Sequence, residues 1–309
     1  ESPEFVADRD DRAVRKLSTL THNLTQAPRL VGSIRELDEI LGEVQPDVVV
    51  NFFDLLGGLH NRLYRPDWPM VCVGHQYLFR HPDFGFPGGY RFDRWALKTY
   101  TKLTASGAAR KLALSFYPLA PRENRGLQVV PPLLREELFD QPLGVREDHL
   151  LVYLLNTGYR EEILAWHEEH PDVPLHCFME RPGEPEEEQV DETLSFHRID
   201  DEKFLRLMAT SRGVATTAGF ESVCEAMYLD KPAYMVPVEG HFEQFCNAFD
   251  ACAAGAGIRG RGFDLSALLR YEEARTSSPE PYRAWVERAP DLIAPAIEEV
   301  ALGEREAAV

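Results

Sequence analysis

Residues 216–257 read TTAGFESVCEAMYLDKPAYMVPVEGHFEQFCNAFDACAAGAG, and this stretch decides the fold. A short apolar run ends just before the small residues Ala218 and Gly219, and a helical apolar pattern begins at Phe220. This order predicts a buried strand, a tight turn and a helix. A second short strand then ends at Pro237, and a second helix follows it. The stretch therefore predicts strand–helix alternation, which is the unit of an open parallel sheet.

The same alternation continues on both sides of this stretch. Short β-branched or apolar runs suit strands that are buried on both faces of a parallel sheet. The predicted strands are residues 48–53, 70–73, 111–117, 127–130, 149–155, 174–179, 194–197, 213–217 and 233–237. Apolar spacing predicts helices over residues 12–44, 91–111, 159–170, 201–210, 220–228, 243–255 and 281–302, and the acidic residues 181–192 are expected to form a solvated loop. The sequence thus predicts an α/β protein built from two Rossmann-like halves.

Chain length also favours two domains, because 309 residues are present and a domain typically takes about 100–200. A segment rich in proline, glycine and charge, residues 131–148, is the expected linker. We predict an N-terminal domain over residues 1–140 and a C-terminal domain over residues 141–285. The final helical segment, residues 286–309, suits either a return onto the first domain or a simple surface helix.

Composition excludes several classes of protein. The chain has 33 Lys and Arg against 51 Asp and Glu, a formal net charge of −18, which disfavours a nucleic acid partner. No apolar run approaches the roughly 18–20 residues of a membrane span. The N-terminus lacks the pattern of a signal peptide, so a cytoplasmic location is expected. The five cysteines are widely spaced and predict neither disulfides nor a zinc site: Cys72, Cys177, Cys224, Cys246 and Cys252.

The turn at Ala218 and Gly219 points to a phosphate-bearing ligand. Small residues before a helix let a phosphate approach the unpaired backbone N–H groups of the first turn, at the edge of the sheet where ligands bind. Glu225 lies about one helical turn further on, where its carboxylate can accept hydrogen bonds from the two hydroxyls of a ribose. Each residue taken alone is equally consistent with ordinary strand–helix packing.

The ordered set of motifs over these 42 residues resembles the donor-binding half of GT-B glycosyltransferases, of the family 28/1-like type. Within that fold it is most similar to the branch related to the bacterial N-acetylglucosaminyltransferase of peptidoglycan precursor synthesis. The shared pattern is the TTAGF turn, S-x-x-E-A from Ser222, Pro237, and E-Q-x-x-N-A from Glu243. Asp230 replaces the glycine usual in the intervening turn. The resemblance implies two Rossmann-like domains whose parallel sheets face a central cleft.

The resemblance also implies an activity and a set of contacts. A sugar would move from a nucleotide diphosphate donor, expected to be a UDP-sugar, to an unknown acceptor hydroxyl without a metal or other cofactor. Glu225 would hold the ribose, and the backbone around Ala218 and Gly219 would hold the pyrophosphate. The other implied donor contacts are Thr157, Gly158, His197, Thr217, Phe220, Ser222, Glu243, Gln244 and Asn247.

The catalytic base is harder to place. Members of the family open with a strand and a G-x-G-H-x-x-R loop that often supplies a catalytic histidine, and this pattern is absent here, so we expect the N-terminal domain to be incomplete. Asp54 and His75 follow predicted strands and are candidate bases, and His22 on the predicted first helix is a third. The alternatives are a helix N-cap for Asp54, a hydrogen-bonded structural histidine for His75 and a surface position for His22.

Basic and aromatic residues alternate over residues 91–111, against the acidic character of the chain. This pattern suits peripheral contact with an inner-membrane surface or with a lipid-linked acceptor. A core-facing helix with a solvated basic side explains it as well. Two other functions fit the donor motif: a non-catalytic nucleotide-sugar binding subunit, and a nucleotide-sugar epimerase of the same fold.

Overall fold

A computed structural model of the chain describes residues 27–121, 126–154, 158–180, 183–276 and 278–307. Among them the chain divides into two units. The first contains residues 27–133 and 284–307, and the second contains residues 134–283. His22 and Thr157 lie outside the described residues, as does the part of the predicted first helix before Ala27.

The described helices are α1 (Ala27–Val44), α2 (Leu55–Tyr64), α3 (Arg91–Thr104), α4 (Arg160–Glu169), α5 (Asp201–Thr210), α6 (Phe220–Tyr228), α7 (Phe242–Ala253), α8 (Ser266–Ala274), α9 (Glu280–Val286) and α10 (Ala289–Ala307). The strands are β1 (Val49–Asn51), β2 (Met70–Gly74), β3 (Arg110–Leu114), β4 (Leu127–Val130), β5 (Leu150–Leu154), β6 (Leu175–Met179), β7 (Glu187–Gln189), β8 (Leu194–Arg198), β9 (Gly213–Thr216), β10 (Ala233–Met235) and β11 (Gly257–Arg259). Strands and helices alternate, and the predicted α/β class is confirmed.

The first unit is built on a parallel sheet whose described strands run in the order β1-β2-β3-β4. Strand β2 is buried along its whole length, which explains its uninterrupted apolar sequence. Helices α9 and α10 are the last two helices that the structure describes, and residues of both contact the sheet of this unit. Glu299 of α10 binds Arg110 at 2.8 Å, and the Trp285 indole N–H donates to the Ser115 carbonyl at 2.9 Å.

The second unit is built on a seven-stranded sheet in the order β11-β10-β9-β5-β6-β8-β7. All pairings are parallel except that of β7 with β8. The central strand β5 alternates between two buried faces: Leu150, Val152 and Leu154 pack in one apolar cluster, while Leu151 packs in another. Because β5, β9 and β10 are neighbouring parallel strands, their carboxyl ends lie at the same edge of the sheet.

Several elements differ from the sequence prediction. The predicted helix over residues 91–111 ends at Thr104, and β3 begins at Arg110, because Gly107 between them adopts a φ of +74°. Helix α8 and strand β11 were not predicted, and α2 was implied only by the N-cap alternative for Asp54. The acidic segment predicted as a loop contains the edge strand β7, which pairs through its backbone with β8 although its side chains carry no apolar pattern.

Candidate functional site

The turn from β9 to α6 has the geometry of an anion-binding helix start. Ala218 is fully buried and holds a φ of +65°, a left-handed conformation that costs a non-glycine residue about 1–2 kcal/mol. Gly219 is the N-cap of α6 and provides no side-chain capping bond. The first backbone N–H groups of a helix lack intrahelical partners and carry partial positive charge. The tight turn therefore presents donors that suit a phosphate.

Asn247 on α7 supports this turn from behind. Its amide Nδ2 donates to the Ala218 carbonyl at 3.4 Å, and the residue is only 5% exposed. Its Oδ1 is buried and has no hydrogen-bond partner among the described residues. Asn247 thus supports the turn through its Nδ2, while its Oδ1 acceptor has no partner among the described residues.

Glu225 lies one helical turn beyond Ser222, and its buried carboxylate forms an ion pair with Arg135. It is 3% exposed, and its Oε1 lies 2.5 Å from Nε of Arg135. Its second carboxylate oxygen, Oε2, is buried without a partner among the residues that the structure describes. Burial raises the pKa of the Glu225 carboxyl above its ordinary value, and Arg135 opposes that rise. The site therefore holds one acceptor oxygen that the described residues leave unsatisfied.

Sequence reasoning missed the residues around Glu225. Arg135 also reaches Asp201 at the start of α5, with Nη1 and Oδ1 3.4 Å apart. Burial disfavours the charged guanidinium, but Glu225 and Asp201 together raise the pKa of Arg135 above its ordinary value. Tyr153, near the end of β5, is half-buried beside this group, and burial raises the pKa of its hydroxyl. The sequence offered one signal for such a partner, because a buried carboxylate needs a cation nearby. It did not indicate which cation, since Arg135 lies in the predicted linker.

The loop after β10 holds the two other polar residues of the donor motif in different ways. Gln244 is buried, and its side-chain Oε1 accepts a hydrogen bond from the Val238 backbone N–H at 2.9 Å. Gln244 therefore closes the β10–α7 loop. Glu243 is half-buried in the first turn of α7. The contacts of both residues with a donor sugar stay a prediction.

The structure places the remaining predicted donor contacts as follows. Thr217 is buried and directly precedes the turn, Phe220 is the half-buried first residue of α6, and Gly158 lies shortly before α4. His197 is 1% exposed on β8, and its Nε2 lies 3.0 Å from Nδ1 of His176. Burial lowers the pKa of His176 to about 4, so the His176 imidazole is neutral near pH 7. This packing favours a structural role for His197.

The two candidate bases in the first unit also have structural partners. His75 follows β2, is buried, and lies with its Nδ1 2.8 Å from the Leu114 carbonyl. Burial lowers the pKa of His75 to about 4. Asp54 is the N-cap of α2 and accepts a hydrogen bond from the Gly57 backbone N–H at 3.1 Å. These contacts are those of the alternative interpretations, a structural histidine and a helix cap.

Helix α3 exposes a basic and aromatic surface. Phe92 and Trp95 are 71% and 63% exposed, and their ring centroids lie 5.8 Å apart. The charged ends of Arg94 and Lys98 stand over the ring of Phe86, at 4.4 and 4.8 Å. None of the helices that the structure describes is long and apolar enough to cross a bilayer. Within the described ranges, no group of three metal-ligating side chains is placed to hold a metal ion.

Comparisons with known proteins agree with this architecture. The sequence model of glycosyl transferase family 1 matches residues 5–270. No curated protein matches the chain. Three similar solved structures are the calicheamicin glycosyltransferase CalG4 (19% identity, 97% of this chain and 85% of that one, TM-score 0.58), UGT2 of Phytolacca americana with UDP-2-fluoro-glucose and pterostilbene (15%, 92% and 80%, 0.56), and the kitacinnamycin glycosyltransferase (17%, 94% and 79%, 0.51).

The alternating strands, the parallel sheets and these structural neighbours define a GT-B fold. Because the family match covers most of its length, the chain belongs to glycosyl transferase family 1, and its activity is glycosyl transfer.

Proposed function

We propose that the second unit binds a nucleoside diphosphate sugar, with a UDP-sugar as the favoured donor, and that the enzyme transfers the sugar to an acceptor hydroxyl. The observation that carries the proposal is the unsatisfied Oε2 of Glu225, buried one helical turn beyond an uncapped helix start. A ribose hydroxyl donates to such an oxygen, and a diphosphate fits the helix start. The UDP-sugar analogue bound by the Phytolacca enzyme, which shares this fold, supports the same class of donor.

In this proposal the chemistry is a displacement at the anomeric carbon. The acceptor oxygen forms a bond to that carbon, the bond to the donor phosphate oxygen breaks, and a base takes the hydroxyl proton. Negative charge grows on the leaving diphosphate, and the N–H groups at the start of α6 stabilise it because they are already oriented there. The proposal therefore needs no metal ion at the diphosphate. Arg135 stabilises the charged form of Glu225 and holds its carboxylate in place for the ribose.

The closing experiment measures UDP binding by calorimetry and UDP release from UDP-glucose and UDP-N-acetylglucosamine in the presence of a panel of hydroxyl acceptors. The proposal expects UDP binding and acceptor-dependent UDP release. Binding without release identifies the non-catalytic alternative, and a change in sugar stereochemistry without release identifies the epimerase. Absence of binding by any nucleoside diphosphate contradicts the proposal. Turnover of UDP-N-acetylglucosamine in preference to UDP-glucose would support an N-acetylhexosaminyl donor and the proposed relation to the peptidoglycan enzyme.

We also propose that the exposed aromatic surface of α3 touches an anionic membrane. Exposed Phe92 and Trp95 beside Arg91 and Arg94 combine the two features that bind an interface, apolar rings and positive charge. Co-sedimentation with vesicles of anionic and of neutral lipid tests this idea. Binding to anionic vesicles that Trp95→Ser weakens supports it, and equal absence of binding to both vesicle types refutes it.

A further inference from the structure

A second polar pocket lies in the second unit, at the opposite edge of the sheet from the Ala218 turn. Its volume is about 230 Å³. It is lined by residues that precede β5, β9 and β10, together with the end of α8. These are the amino-terminal ends of the parallel strands, whereas the turn at Ala218 follows the carboxyl end of β9. The length of β9 therefore separates this pocket from the proposed donor site.

The pocket carries an excess of positive charge in an acidic protein. Two carboxylates line it, Glu272 and Asp230. Four cationic side chains line it with them: Arg146, Arg212, Lys231 and Arg275. The carboxylates leave two positive charges uncompensated in the lining, although the whole chain has a formal net charge of −18. A local field of this sign attracts anions.

Both carboxylates are already committed to arginines. Glu272 is buried and pairs with Arg146 and with Arg212, the latter at 3.1 Å. Asp230 pairs with Arg275 at 2.8 Å. Asp230 also holds a φ of +61°, a left-handed conformation that Asp adopts more readily than most residues, and its carboxylate orients Arg275.

Three cations of the pocket have buried donors with few or no acceptors among the described residues. Lys231 is 5% exposed, and its ammonium makes one hydrogen bond, to the Val145 carbonyl at 2.6 Å. The buried Nε groups of Arg212 and Arg275 have no partner in the part of the chain that the structure describes. Burial lowers the pKa of Lys231 to about 8; repulsion by Arg146 adds to this shift, and attraction by Asp230 only partly opposes it. Charged donors of this kind are costly to bury unless an anion pairs with them.

We propose that this pocket binds a small phosphate-bearing anion. Guanidinium groups recognise phosphate through paired N–H donors, and a buried ammonium adds a point charge. The volume is below the roughly 300 Å³ at which pockets for drug-sized ligands begin, so it suits inorganic phosphate or the phosphate group of a small ester. The bound anion satisfies the excess donors and neutralises the two uncompensated charges. This pocket is a binding site separate from the transfer reaction.

The experiment follows binding of inorganic phosphate to the full chain by calorimetry, at constant ionic strength, with and without saturating UDP. Two variants break the same ion pair and have opposite effects on the charge of the pocket. Arg146→Gln removes a positive charge and is expected to weaken phosphate binding by about fivefold. Glu272→Gln removes a negative charge and is expected to strengthen it by about the same factor. Arg206→Gln, an exposed arginine on α5 of the same unit, is the charge-matched control.

The opposite signs make the test decisive. A cluster that serves only to hold the fold predicts that both variants lower the unfolding temperature and leave phosphate affinity unchanged. That result overturns the proposal, as does the absence of saturable phosphate binding up to about 10 mM. Glycerol 3-phosphate distinguishes the two sources of the ligand. Displacement of phosphate by the ester assigns the pocket to phosphate esters, and failure to displace it assigns the pocket to free phosphate.

Discussion

Replacing Glu225 with glutamine tests the central contact of the proposed donor site. The substitution preserves the volume of the side chain and removes its negative charge. In the native structure Oε1 binds Arg135, and Oε2 is buried without a partner among the described residues. We expect Glu225→Gln to fold, because the Arg135 side chain is 32% exposed and water can solvate its freed guanidinium.

The magnitude follows from the single unsatisfied oxygen. A hydrogen bond between a hydroxyl and an ionised acceptor contributes about 1.5–3 kcal/mol, so its loss weakens UDP binding by roughly 10- to 150-fold. The matched control is Glu221→Gln, which removes an equal charge from an exposed residue in the first turn of the same helix. Because Glu221 does not meet the ribose in our proposal, its removal is expected to change UDP affinity little, and in the direction of tighter binding.

A double-mutant cycle assigns the effect to the ribose. Calorimetry compares UDP with 2′-deoxyuridine diphosphate on the wild-type protein and on Glu225→Gln. The native protein is expected to prefer UDP by about tenfold or more, and the variant is expected to bind both ligands with similar affinity. Equal affinity of the wild-type protein for the two ligands, together with unchanged UDP binding by the variant, would refute the role of Glu225.

Three further outcomes follow from the described geometry. Arg65 is exposed at the C-cap of α2 with a φ of +50°, so Arg65→Gly is expected to raise the free energy of unfolding by about 1 kcal/mol. Arg62→Gly, inside the helix, is expected to lower it by about as much. Urea unfolding measures both changes, and two changes of the same sign contradict the reasoning. Because the pKa of His75 is lowered to about 4, the unfolded chain binds a proton there from about pH 6.5 downward while the folded chain does not. Stability should therefore fall by roughly 3 kcal/mol between pH 6.5 and 4, and His75→Gln should lack that loss; an identical pH slope in the variant would show that His75 is not the group responsible. Sulfate keeps its charge above neutral pH, so its affinity for the pocket at Lys231 should decrease as pH rises through about 8, where this amine loses its proton; an affinity independent of pH excludes Lys231 from the site.

Where the sequence prediction failed, the cause lies in packing between elements. Helix α2 contains Gly57 and Gly58, two residues of low helix propensity, and the sequence indicated only its start, through the alternative role of Asp54 as an N-cap. A Cβ on Gly58 would approach the Leu103 carbonyl oxygen to 2.3 Å, so the glycine permits close contact between α2 and the end of α3. Gly58 thus lowers the helix propensity of α2, but the close packing of α3, which lies far away in the sequence, requires a glycine there.

The strands β5, β6, β8, β9 and β10 of the second unit were readable from the sequence because they are buried and so carry apolar runs, whereas β7 and β11, at the two edges of the sheet, were not. The turn at Ala218 and the position of Glu225 were readable for the same reason, since both follow directly from the end of one strand. The partner of Glu225 was not, because Arg135 stands 90 residues earlier. The pocket at Lys231 likewise joins residues from three strand starts and a helix end. Local patterns determine which segments become strands and helices; only the folded sheet, by bringing strand ends together, decides which charges meet.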